Sequence, residues 1–153
     1  MNKVLLFLFA LITFAACKKD TEPQPVPEPK DLGTMVAGKY TLTSFRYTRN
    51  GDDVMNVDKM PATVDGSKVS GTVTFTKSSA DQVNMAFKLV ADGEEIYSLS
   101  GEDLEVRKDG SEYGLFAGET RIGDVDGSMV IFNLSQTDSD GEEIEVAFIA
   151  RKK

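Results

Sequence analysis

Val69-Ser70-Gly71-Thr72-Val73-Thr74-Phe75-Thr76 decides the fold class. Apolar or small residues at the odd positions alternate with hydroxyl residues at the even ones. A period of two places the first set on one buried face of a β-sheet and the second set towards water. The same alternation returns in Val83, Met85, Phe87 and Leu89, in Val130, Phe132 and Leu134, and in Ile144, Val146, Phe148 and Ala150. Tyr40 and Leu42 begin an earlier row, and the change of phase to Phe45 and Tyr47 predicts a β-bulge near Ser44. Shorter strands are expected over 95–99, 104–106 and 112–117.

Between these rows fall Asn50-Gly51, Asp65-Gly66, Asp92-Gly93, Asp109-Gly110, Asp126-Gly127 and Asp140-Gly141, the pairs that two-residue hairpins favour. Nothing reads as a long helix. Residues 51–67, with Pro61, read as a long loop holding at most a short strand or helical turn. The expected fold is all-β, an antiparallel up-and-down meander of about eight strands. Closure into a β-barrel removes the sheet edges most completely. A β-sandwich with Greek-key connections produces the same alternation and remains the alternative.

Outward from this domain, residues 18–31 read KKDTEPQPVPEPKD, with prolines at 23, 25, 27 and 29. Alternating proline disfavours helix and sheet and gives an extended spacer of about 3 Å per residue. Before it, Met1-Asn2-Lys3 forms a short cationic opening and 4–14 an apolar run too short to span a bilayer. Phe14-Ala15-Ala16-Cys17 resembles a bacterial lipobox, with Phe14 in the place usually held by Leu. The resemblance implies cleavage before Cys17 and acylation of its sulfur, with palmitate among the chains. It therefore divides the precursor into a lipoprotein signal peptide (1–16), a lipidated N-terminus with a Pro-rich linker (17–31) and a barrel domain (32–153). Two or three acyl chains make a stable anchor where one is marginal. The expected address is the outer membrane, on its periplasmic face or at the cell surface.

The chain carries 25 acidic against 17 basic residues, a net charge of −8, with no histidine, no tryptophan and one cysteine. Such a charge repels phosphate backbones, so nucleic acid is not an expected partner. Without histidine, and with the lone thiol assigned to lipid, neither a Ser-His-Asp mechanism nor an ordinary zinc site can be assembled. Asp124-Val125-Asp126-Gly127 and Asp138-Ser139-Asp140-Gly141-Glu142 offer alternate carboxylates to a hard cation. Calcium needs six to eight oxygens, however, and hairpin chemistry accounts for both segments. Glu94-Glu95, Glu102-Asp103 and Glu142-Glu143 are candidate glycosidase pairs, yet neighbours on a strand point to opposite faces. The expectation is a non-enzyme with no cofactor and no metal.

Gly38-Lys39-Tyr40 resembles the Gly-x-Trp opening of lipocalins, with Tyr in place of Trp. In that family the aromatic closes one barrel end against a late basic residue. The resemblance gives Tyr40 this role and Arg151 that of the stacking cation. With the lipobox and the proline-rich arm, the plan of 32–153 is similar to small lipocalin-like lipoproteins of bacterial envelopes. It implies a small apolar or amphipathic ligand inside the barrel. If a cavity exists, Met85, Phe87, Phe132 and Phe148 are its expected lining; the bland reading makes them a filled core. The other functional class is a structural or interaction protein whose acidic surface meets an envelope protein. Cys17→Ala is expected to abolish acylation and move the protein from the detergent phase to the aqueous phase in Triton X-114 partition. Unaltered detergent partition would count against the anchor.

Overall fold

The computed structural model describes residues 31–153, so the expected signal peptide, Cys17 and nearly all of the proline-rich arm lie outside the described residues. The domain starts with a one-turn helix, α1 (Leu32–Val36), followed by β1 (Gly38–Arg49), β2 (Asp52–Val57), β3 (Ala62–Val64), β4 (Ser67–Lys77) and β5 (Gln82–Ala91). Next come β6 (Glu94–Asp109), β7 (Glu112–Ala117), β8 (Thr120–Val125), β9 (Met129–Thr137) and β10 (Glu143–Lys152). Consecutive strands from β4 to β10 pair as antiparallel neighbours, and β10 pairs with β1. The last step is the pairing of β1 with β4, which closes an eight-strand barrel. That seam decides against the sandwich, because a sandwich leaves the edges of its two sheets unjoined.

The seam is short. Only Gly38 to Thr41 pair with Phe75 to Thr72. The expected bulge then interrupts β1 between Leu42 and Ser44 and swings the strand away from β4. Above this fork β2 takes the freed edge of β1, and β3 takes that of β4. The β2–β3 connection is held at the bulge by the Met60 N–H, which donates to the Thr43 carbonyl at 2.8 Å. Both outer strands come from residues 51–67. Their polar composition gives no alternation, which is why the sequence reads as loop there.

Asn50, Asp65 and Asp92 take positive φ values of 51°, 49° and 52°, each followed by a glycine at positive φ. Both central residues of these turns are therefore left-handed, as type I′ hairpins require. Two expectations change elsewhere. The segments 95–99 and 104–106 belong to one continuous β6, because the ladder with β5 crosses Gly101-Glu102-Asp103 through a register shift. Left-handed Asp103 (φ 49°) is a kink in that strand and not a turn. β8 had no predicted counterpart: its inward residues are Ile122 and Val125, too few for a visible row.

All the inward rows face one core. Phe45, Phe148 and Phe132 lie side by side across β1, β10 and β9. Phe87 reaches them from β5, on a strand not hydrogen-bonded to any of the three, with ring centroids 5.0 Å from Phe148 and 5.6 Å from Phe45. Rings from opposite walls thus meet, and the barrel is filled at this level. Gly71 makes room for the neighbouring Leu42 and Leu89 side chains: a Cβ there would stand 2.9 Å from Leu42 Cδ2 and 3.0 Å from the Lys88 carbonyl oxygen. Since the second neighbour is backbone, little relief is available. Gly71→Val is expected to lose about 1–3 kcal/mol by overpacking, read as a lower urea midpoint at unchanged slope. A neutral result would mean that the interior has spare space beside Gly71.

Candidate functional site

The two barrel ends differ. At the lower end, where β1 begins, the chain enters through α1, whose N-cap is Asp31; its Oδ1 accepts the Thr34 N–H at 2.8 Å. A salt link to Lys77 and the Thr34 N–H hold the Asp31 carboxyl below its ordinary pKa. The Gly33 N–H donates to the Ala80 carbonyl at 2.8 Å and fastens the helix to the β4–β5 turn. Val36 and Tyr40 are fully buried beneath it. The Tyr40 hydroxyl donates to the carbonyls of Val36 at 2.7 Å and Gly127 at 3.3 Å, so one phenol ties the helix to the β8–β9 turn. Its ring meets Phe75 edge-on at 5.7 Å.

Tyr40 is thus at the closed end, as the resemblance implies, but the cation over its ring is Lys152 and not Arg151. The Lys152 ammonium stands 5.4 Å from the ring centroid and donates to the Ala37 carbonyl at 2.8 Å. The reason is strand alternation. Register pairs Tyr40 with Lys152 and Thr41 with Arg151, so Arg151 points to the outer wall.

The four proposed lining residues come together, though not around a void at their own level. Met85, Phe87, Phe132 and Phe148 are each 4% exposed or less, and Phe132 stacks on Phe148 at 4.6 Å with planes 10° apart. They make a floor. The next tier upward is Tyr47 on β1 and Tyr97 on β6, again on strands that are not neighbours, with ring centroids 5.7 Å apart. Tyr97 also lies 6.1 Å from Phe87 and 6.4 Å from Phe45. Met55 pairs with Tyr47, and Leu134 lies on the same inward face opposite Val146. Unlike the floor, this tier is only half-buried. Burial and the neighbouring Tyr47 phenol raise the pKa of Tyr97 above its ordinary value. For Tyr47 and Leu134 the sequence signal is the last inward position of a row, close to the upper hairpins, whereas Met55 and Tyr97 belong to no visible row.

The acidic turns are occupied by their own backbone. Asp126 Oδ1 accepts the Ser128 and Met129 N–H groups at 2.7 and 2.6 Å, and Asp138 Oδ1 accepts those of Asp140 and Glu142 at 2.9 and 3.0 Å. Burial raises the pKa of Asp126, but these bonds and the Ser128 hydroxyl outweigh it and the net shift is downward. For Asp138 the Glu142 N–H leads the lowering. Among the described residues no three Asp, Glu, Cys or His side chains converge as a metal would need.

Burial, and then the negative charge of Asp126, push the Tyr40 phenol up to about 12 from 10.0. A raised phenol pKa means that the folded state keeps its proton longer than the unfolded chain. Stability is therefore full below about pH 10 and falls as the pH rises towards 12. Tyr40→Phe is expected to lower stability at neutral pH by about 0.5–1.5 kcal/mol and to flatten this alkaline decline. Identical alkaline slopes in thermal melts of the two proteins would refute the assignment. Compared with protein-family models, curated proteins and solved structures, the chain matches none of them.

Proposed function

We propose that this protein is a non-catalytic, lipid-tethered binding module of the cell envelope, which holds a small apolar or amphipathic molecule at the upper end of its barrel. The fold is a β-barrel compatible with a lipocalin-like calycin. What carries the reading is the asymmetry of its ends. The lower end is sealed by α1, Tyr40 and Lys152, whereas the upper end presents half-buried Tyr47, Tyr97, Met55 and Leu134 above a stacked aromatic floor. Apolar sites with few polar groups are the usual form of small-molecule pockets.

Phe87 and Phe148 supply the bottom of the site, and the two phenols supply flat, amphipathic contact area. The neighbouring turns carry Asp52, Asp65, Asp92 and Glu94. A ligand with a neutral or cationic head suits this rim better than a free fatty acid, whose carboxylate the turns repel. A lipid tether at Cys17, followed by the proline-rich arm, would keep such a module at the outer membrane, within reach of amphipathic molecules.

Tyr97→Ala is expected to weaken binding of the apolar dye Nile red about tenfold and, because its ring is only half-buried, to cost less stability than the loss of a floor ring. Phe132→Ala is expected to cost about 3–5 kcal/mol of stability. Native mass spectrometry of the protein from its own cells should show a bound small molecule that Tyr97→Ala reduces. An empty barrel that co-purifies with an envelope protein, and Nile red binding indifferent to Tyr97, would favour the acidic-surface interaction reading instead.

A further inference from the structure

The fork at which β1 parts from β4 opens a groove of about 710 Å³ on the outer wall, whose Lys68 end adjoins the Asp92 turn, the Lys68 N–H donating to Asp92 Oδ1 at 2.8 Å. Its lining includes Lys39, Lys68, Lys152 and Lys153 and no acidic residue, on a chain with 25 acids to 17 bases. The outward face of β1 supplies Lys39 and Thr41, and that of β4 supplies Lys68, Ser70 and Thr72. Lys152 is committed to the Ala37 carbonyl and the Tyr40 ring. Lys39, Lys68 and Lys153 form no ion pair with the described residues, whereas Arg46, Arg49, Lys77, Lys88, Arg107 and Arg121 each hold a carboxylate. Lys153, the residue after β10, lines the groove together with Lys39. Like charges repel one another, and no carboxylate lines the groove to offset these lysines.

We infer that this groove binds an elongated anionic saccharide, with charged groups at its two ends and hydroxyl contacts between them. Lys39 and Lys153 stand at one end and Lys68 at the other. From Lys68 to Thr74, the partner of Lys39, β4 rises roughly 20 Å, far longer than one phosphate. Between them the wall is lined by the hydroxyls of Thr41, Ser70 and Thr72, which donate and accept and so match a hydroxyl-rich chain. The groove has no aromatic side chain on which a base can stack, which disfavours single-stranded nucleic acid. Exposed lysines act as screened point charges, so binding must weaken with salt.

The test uses the full chain in neutral detergent, titrated with a sparsely sulfated dextran sulfate oligosaccharide that keeps most of its hydroxyls, and followed by amide chemical shifts of Thr41, Ser70 and Thr72. These amides should shift, and the affinity should fall at least about tenfold when Lys39, Lys68 and Lys153 are all changed to Gln. Lys88→Gln, a lysine on the wall outside the groove, should change it less than about twofold. A dispersed amide spectrum establishes that the triple variant is folded. Neutral dextran of the same length should leave the spectrum unaltered. The proposal is overturned if dextran sulfate moves none of these amides or if Lys88→Gln weakens binding as much as the triple variant. Equally tight binding of oligo-dT or of inorganic phosphate would also overturn it, by removing the saccharide or the extended ligand. Nile red binding at the upper end should be indifferent to all of these variants, which keeps the two sites distinguishable.

Discussion

Closure at the β1–β4 seam is the constraint on which the rest of this structure depends. A sheet of amphipathic strands has an apolar face that must be covered, and among the described residues no second sheet or long helix covers it. Rolling the sheet until its first long strand meets its fourth turns every inward row towards the same axis. Four residue pairs hold that contact, Gly38 to Thr41 against Phe75 to Thr72. Without them Phe87 has no opposite wall, and the stack it forms with Phe45 and Phe148 has nothing to close against. The bulge at Leu42–Ser44 limits the seam and thereby creates both the berth for β2 and β3 and the groove between the strands.

Much of this was legible in the sequence, because a strand with one wet face writes its pairing into a period of two. The rows of β4, β5, β9 and β10, the bulge in β1 and the left-handed Asn50, Asp65 and Asp92 turns all follow from local chemistry. Closure was less accessible. Whether the edge of β1 finds β4 is a long-range event, and alternation alone is equally satisfied by a sandwich. β8 was hidden because two inward apolar residues make no pattern, and β6 was divided because Gly101-Glu102-Asp103 carries turn residues inside a strand. The position of the capping cation depended on one step of register, which separates Lys152 from Arg151. For the candidate site, composition marked the aromatic residues, but only the contacts between opposite walls separate a packed floor from a half-buried tier above it.

The two proposed sites use opposite physical means. At the upper end, affinity would come from removing apolar area from water beside large flat rings and would be little affected by ionic strength. In the groove it would come from ammonium groups held in water and would fall as salt screens them. Surface ion pairs elsewhere, such as Arg46–Asp53 or Lys88–Glu95, contribute little to stability. Their effect here is to consume much of the positive charge of the outer wall, whereas Lys39, Lys68 and Lys153 in the groove hold no carboxylate among the described residues.

The lower closure also sets how the domain bears load. Any pull arriving at Asp31 first meets α1, which is fastened by the Gly33 amide, the Asp31–Lys77 pair and the Tyr40 phenol. Those bonds can break in succession, so the helix peels at low force. The next residues begin β1, which is hydrogen-bonded along both edges to β4 and β10. Traction along that strand loads two ladders in shear, where many bonds must fail together. A barrel pulled from Asp31 and built in this order yields by one helical turn and then resists, so the load is absorbed before the strand that closes the barrel is strained.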